Sequence, residues 1–174
     1  MRPDLLVGSP MCGPYSKLQI LNRKTPEAEK SLEEKQKQGD EHLEFCARQY
    51  EAQMERGGFF LHEHPRDATS WERPCMKRLR EKEGVYLVTA DLCRYGLTSR
   101  DEHGSGFSKK PTSFLTNSEE IANELSLRCS NDCHVLHIRL LVSGETFRTG
   151  PRGQVDRNTK VQQGVRLFGE FFLT

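Results

Sequence analysis

The chain has 174 residues, 34% hydrophobic and 29% charged, and its 26 Lys+Arg against 25 Asp+Glu leave a net charge of +1. That length suits one domain of ordinary size and is short for two well-formed ones. No uncharged apolar run approaches the roughly 20 residues of a membrane span, no secretory h-region follows the start, and near-neutral charge excludes a global basic field for nucleic acid.

In chain order, residues 4–8 (Asp-Leu-Leu-Val-Gly) read as a short buried strand. A loop follows over 9–16, with Pro10, Gly13 and Pro14 as turn residues. Residues 27–56 form a Glu/Lys/Gln-rich helix pattern carrying Leu43, Cys46, Tyr50 and Met54, with Gly57 and Gly58 as its stop signal. The part of that pattern before Asp40 has almost no apolar face and reads as a solvated helix or flexible lead-in. Residues 59–63 are a second strand stopped by Pro65, 71–83 a short basic helix, and 85–90 a third strand. Residues 91–116 are expected to be a long loop, too long to be a passive connection. Asn117 with Glu120 suggests a capping box for a helix through Leu125, and 134–142 a last strand. Beyond that, only 165–168 has a strand pattern. Short apolar strands alternating with helices predict an α/β protein with a mostly parallel sheet, whose functional loops leave the carboxyl ends of the strands.

Two of those loops hold pointed chemistry. Cys12 sits in Gly8-Ser9-Pro10-Met11-Cys12-Gly13-Pro14-Tyr15-Ser16, a Pro/Gly-framed turn that would present a thiol nucleophile, or equally a structural thiol. Glu63 ends an apolar strand between His62 and His64, where it could serve as a positioned acid or stand exposed to water. A metal reading of His62-Glu63-His64 is disfavoured, because adjacent strand residues face opposite sides. Without a secretory signal, the six cysteines read as reduced thiols of an intracellular protein. Cys129, Cys133, His134 and His137 match a zinc ligand inventory but not a standard finger spacing, and two histidines three apart on a strand diverge. Arg100, Lys109 and Lys110 give the 98–110 segment a local basic character that suits phosphate or plain solvent.

The run from Asp4 through Ser9, Pro10 and Cys12 to Ser16 resembles the catalytic loop of C5-cytosine DNA methyltransferases, a strand followed by a G-x-P-P-C-Q-x-F-S-like stretch. Glu63 before His64-Pro65 is similar to that family's Glu-Asn-Val or Glu-Asn-Pro motif. The later Cys93-Arg94-Tyr95-Gly96, Lys110-Pro111-Thr112 and Thr116-Asn117 are similar to a variant in phage and mobile-element relatives. Met11, Gly13 and His64 depart from the family's usual proline, glutamine and asparagine. A Gly-rich cofactor turn normally lies well upstream of the cysteine, and here eleven residues precede Cys12.

The resemblance implies a partial Rossmann-like, class I methyltransferase-like sheet with its front half missing, occupying residues 1–128, followed by a poorly defined segment over 129–174. It implies Cys12 as nucleophile on cytosine C6 and Glu63 engaging the base. Ser9, Pro10, Ser16, His64, Lys110, Thr112 and Asn117 would then be substrate-binding residues, with no metal. The implied cofactor is S-adenosylmethionine, which the chain alone is expected to bind weakly or not at all. The implied partners are DNA and a chain or segment completing the sheet, with no membrane. The competing expectation is a non-catalytic mobile-element remnant or an interaction module. An unpaired apolar edge at residues 5–7 is expected in either case.

Overall fold

The computed structural model describes residues 3–17, 19, 25–101, 104–130 and 137–138. The chain divides into two compact units: Met1–Ala90 with Thr112–Ser126, and Asp91–Pro111 with Leu127–Thr174.

The first unit is a four-stranded sheet with flanking helices. Strand β1 (Leu5–Gly8) leads through a 3-10 turn (Gly13–Tyr15) into helix α1 (Pro26–Glu55). Strand β2 (Phe59–Pro65), a second 3-10 turn (Thr69–Glu72), helix α2 (Pro74–Arg80) and strand β3 (Tyr86–Asp91) follow. Helix α1 starts at a Thr25 cap whose hydroxyl accepts from the Ala28 N–H at 3.2 Å, with Pro26 next. It ends where Gly57, at φ +76°, lets the Gly58 N–H reach the Gln53 carbonyl and its own N–H reach that of Met54, both at 2.9 Å. The segment before Asp40 is helical, not a flexible lead-in, and buries Leu32 and Gly39.

The stretch expected to be a loop over 91–116 is instead largely strand. A 3-10 turn (Leu92–Tyr95) precedes strands β4 (Thr98–Asp101), β5 (Gly104–Ser108) and β6 (Pro111–Thr116). Strand β6 lies between β2 and β3, giving the order β1-β2-β6-β3. β1 and β2 are parallel, Gly8 opposite His62, while β6 runs antiparallel to β2, Phe114 opposite Glu63. The sheet is therefore mixed, a correction to the mostly parallel expectation. A sequence signal was present in the β-formers Thr112, Phe114 and Thr116, and the structure buries residues 112–116 along their whole length.

Helix α3 (Glu119–Glu124) is capped by Ser118, whose hydroxyl accepts from the Ile121 N–H at 3.2 Å. Asn117, the expected cap, instead clips the start of β2. Its Nδ2 donates to the Gly58 carbonyl at 3.0 Å and its Oδ1 accepts from the Phe60 N–H at 2.8 Å. In the second unit β5 pairs antiparallel with β4 and parallel with β7 (His137–Ile138), in the order β4-β5-β7. The strand expected over 134–142 is described only for that pair, and the 165–168 pattern lies outside the described residues.

The core of the first unit gathers Tyr15, Leu43, Tyr50, Phe60, Trp71 and Leu79 between α1, α2 and one sheet face. Gly8 lies so close to Tyr50 that a Cβ there would overlap the phenol hydroxyl. Gly8→Ala is expected to displace Tyr50, break its 3.1 Å bond to His62 Nδ1, and destabilise the fold by about 1–3 kcal/mol. An unchanged melting temperature would contradict this.

β1 ends the sheet. Asp4 O accepts from the Phe59 N–H at 2.8 Å, and alternate residues of a parallel strand bond to one side, so the backbone groups of Leu5 and Val7 point away from β2. Val7 and Phe59 are also exposed, and no charge or proline guards positions 5–7. Concentration-dependent association is expected in sedimentation velocity, weakened by Val7→Lys with the melt little changed. A monodisperse wild-type monomer at high concentration would count against it.

Candidate thiol–carboxyl site

Residues 9–16 leave the carboxyl end of β1, and Glu63 lies near the carboxyl end of β2. Because Gly8 is opposite His62, the next residue, Ser9, falls beside Glu63. Ser9 Oγ donates to Glu63 Oε2 at 2.6 Å. Glu63 is buried, while Ser9 and Cys12 are exposed. The first contact between the two motifs is thus made by Ser9.

The loop is pinned through its carbonyls. Pro10 O accepts from His64 Nε2 at 2.9 Å and Cys12 O from the Tyr15 N–H at 3.0 Å. Gly13 O accepts from Gln19 Nε2 at 2.9 Å and from the Ser16 N–H at 3.2 Å. Pro14 O accepts from Gln36 Nε2 at 3.1 Å, and Tyr15 O from Thr69 Oγ1 at 3.3 Å. Within this framework the side chains of Met11 and Cys12 face solvent, Met11 at 58% exposure. Such a loop presents a thiol at low ordering cost to any ligand that reaches it.

Beneath it, Tyr15 is buried. Its hydroxyl donates to Asp40 Oδ1 at 2.8 Å, and Arg73 pairs with the same oxygen at 2.9 Å while lying 5.4 Å from the Tyr15 ring centre. Burial, then the Asp40 hydrogen bond and charge, push the Tyr15 phenol well above its ordinary range. Gly39 makes room for that ring, since a Cβ there would come within 2.6 Å of the Tyr15 hydroxyl.

His62 and His64 share the core face of β2, with ring centres 4.9 Å apart and Trp71 edge-on to both. Burial, then the neighbouring His64, pushes His62 well below its ordinary pKa. Burial also lowers His64, against the opposing effects of the Pro10 carbonyl and the Glu63 charge. Among the described residues, His62 Nε2 is buried without a hydrogen-bond partner.

The residues expected to bind substrate divide accordingly. Ser9 reaches Glu63, and Pro10 and Ser16 shape the loop. His64, expected to bind substrate, is fully buried with both ring nitrogens engaged, by Ser70 and the Pro10 carbonyl. Thr112 is also fully buried, opposite Pro65. Asn117 is taken up by the start of β2, at the end of that strand away from Glu63. Lys110 belongs to the second unit, where its carbonyl accepts from the Leu92 N–H at 3.1 Å. Sequence reading missed Ser70, Thr69 and Gln36, polar residues that no local pattern marks as loop anchors.

In the second unit Asp91 Oδ2 accepts from the Cys129 N–H at 2.8 Å and pairs with Arg128 Nε at 3.0 Å. Burial alone would raise the Asp91 carboxyl, but the Cys129 N–H and the Arg128 guanidinium outweigh it and hold the group below the usual range. Cys133 and His134 lie outside the described residues, and of His137 only the backbone is described. Among the described residues, no group of three or more His, Cys, Asp or Glu is placed to hold a metal ion, and no helix is long and apolar enough to cross a membrane. Set against known proteins, the chain matches no family model, no curated protein and no solved structure.

Proposed function

We propose that the Cys12 loop and Glu63 form a thiol–carboxyl site of the C5-cytosine DNA methyltransferase type, acting on a cytosine turned out of DNA. The observation that carries this reading is the 2.6 Å Ser9–Glu63 hydrogen bond, which joins the two motifs at the carboxyl ends of neighbouring parallel strands. The parallel β1–α1–β2 unit is also what supports a Rossmann-like descent of the sheet.

In this chemistry the Cys12 thiolate adds to C6 of the base. The C5–C6 π electrons shift through C4 onto N3, which takes a proton at the Glu63 carboxyl group, leaving an enamine nucleophilic at C5. Protonation of C5 by water, loss of the original C5 hydrogen to water, and expulsion of the thiolate as the N3 proton goes back to Glu63 return the base with its C5 hydrogen exchanged. The base has to leave the stack to reach Cys12.

S-adenosylmethionine is the methyl donor this family resemblance implies. The described residues do not fit it: the close approach at Gly8 is filled by this chain's own Tyr50 hydroxyl, and the Pro10, Gly13 and Pro14 carbonyls of the loop are already engaged by protein donors. The chemistry assigned to Cys12 and Glu63 therefore ends at exchange of the C5 hydrogen.

The test uses single-stranded and mismatched oligonucleotide pools in which 2-pyrimidinone replaces cytosine. This base adds thiols readily, and an unpaired base costs least to extrude. A denaturant-resistant protein–DNA adduct mapped to Cys12 by peptide mass is the expected result. No adduct, or one mapped to another cysteine, overturns the reading. The β1 edge, unpaired among the described residues, with exposed Val7 and Phe59, favours a second reading, a non-catalytic interaction module, to which an adduct-free but folded protein would point.

A further inference from the structure

His64 is fully buried, where a polar ring is costly unless its nitrogens are bonded. Its Nε2 lies 2.9 Å from the Pro10 carbonyl oxygen and its Nδ1 2.6 Å from Ser70 Oγ. A carbonyl oxygen only accepts, so Nε2 carries the proton. In the neutral ring Nδ1 is then a bare acceptor, and the Ser70 hydroxyl donates to it. The chain of bonds has one direction: Ser70 O–H to Nδ1, then Nε2–H to the carbonyl two residues before Cys12. Ser70 is itself fully buried, in the 3-10 turn Thr69–Glu72. From the same turn, Thr69 Oγ1 holds the Tyr15 carbonyl on the other side of Cys12. One short turn therefore anchors both flanks of the thiol.

We propose that Ser70 and His64 are positioning residues for Cys12, fixing the Pro10 end of the loop against the core so that the thiol is held at the end of β1. The consequence for reactivity rests on the thiol–carboxyl reading; the anchoring itself does not.

His64→Gln and His64→Asn separate the bond from the ring. Glutamine Nε2 reaches the place of imidazole Nε2 and keeps a donor for Pro10, whereas asparagine Nδ2 reaches only the place of Nδ1. Both lose the ring's packing, so their difference reports the Pro10 bond. The readout is hydrogen exchange at the Tyr15 and Ser16 amides, which bond to the Cys12 and Gly13 carbonyls, referenced to amides within β2. Exchange is expected to rise by about tenfold in His64→Asn and to return to within about twofold of wild type in His64→Gln. Adduct formation on 2-pyrimidinone DNA should slow and recover in parallel.

If wild-type protein forms no adduct, the functional reading fails while the exchange still decides the anchoring. Exchange unchanged in His64→Asn, or equally fast in both variants, overturns the proposal. Should His64→Asn not fold, Ser70→Ala keeps the ring and removes its donor. It is expected to raise exchange at the same amides by about threefold, and no rise there overturns the proposal as well.

Discussion

Cys12→Ser is expected to abolish the covalent adduct with 2-pyrimidinone DNA, and Glu63→Gln to slow its formation by about 10²–10⁴-fold. The two losses differ in kind. A serine hydroxyl is a far weaker nucleophile than a thiolate and stays protonated near neutral pH, so C6 addition stops. Glutamine keeps the shape of Glu63 and can still accept from Ser9, but it cannot exchange a proton with N3, so the enamine forms against an uncompensated charge. Because Cys12 is exposed, its substitution should leave the melt unchanged, and the loss is then chemical rather than structural. Glu63→Gln protein that forms adduct at the wild-type rate would remove the carboxyl from the mechanism. The readout is adduct yield against time on a denaturing gel, with the modified peptide identified by mass.

The second large effect is acid sensitivity of the fold. His62 and His64 are both buried and both lowered from their ordinary pKa, chiefly by burial, so the folded chain holds them neutral near pH 7. In the unfolded chain each takes up a proton near pH 6.5. The unfolded state therefore binds more protons as pH falls through that value, and stability, fully present above it, declines on the acid side. Each histidine contributes about 1.4 kcal/mol per pH unit once the unfolded form is protonated and the folded form is not. With both in that window the slope approaches about 3 kcal/mol per unit, large against a usual total of about 5–15 kcal/mol. The groups around the pair are Tyr50 from α1, Tyr15 from the loop turn and Glu63 from the same strand. Of these the Glu63 charge opposes the fall at His64. Urea unfolding at pH 7.5 and 5.5 should show a markedly lower midpoint at the acid value. His62→Phe, which keeps a ring against Trp71 and removes the titrating nitrogens, should roughly halve the slope. Equal midpoints at the two pH values would mean that the histidines are not held neutral.

The loop geometry links these two expectations. Protonating His64 adds a second ring N–H facing Ser70 Oγ, so the Ser70 hydroxyl has to turn away and accept. The Nε2–H bond to Pro10 can persist, which makes the loop less acid-sensitive than the core around His62. His62 has no such adjustment among the described residues, where its Nε2 is buried without a partner.

What the sequence determined by itself is what short stretches of chain encode. The Leu5–Gly8 strand, the Gly57-Gly58 stop of α1 and the Phe59–Pro65 strand follow from hydrophobic period and glycine chemistry within a few residues, and they stand close to where those patterns put them. The presentation of Cys12 on a Pro/Gly turn was legible for the same reason. Only tertiary structure decided which strand lies beside β2. β6 carries buried Thr112, Ser113 and Thr116; its run has a local strand signal, but its place beside β2 is set by pairing across roughly fifty residues with Leu61 to Pro65. Tertiary structure also decided that His64 faces the core and holds Pro10, that Ser9 meets Glu63, and that Asn117 clips the start of β2 rather than capping α3. In each case a polar side chain has several possible partners nearby in sequence. The partner it takes is the one that long-range packing brings within about 3 Å, because a buried polar group left unbonded costs more than any local alternative.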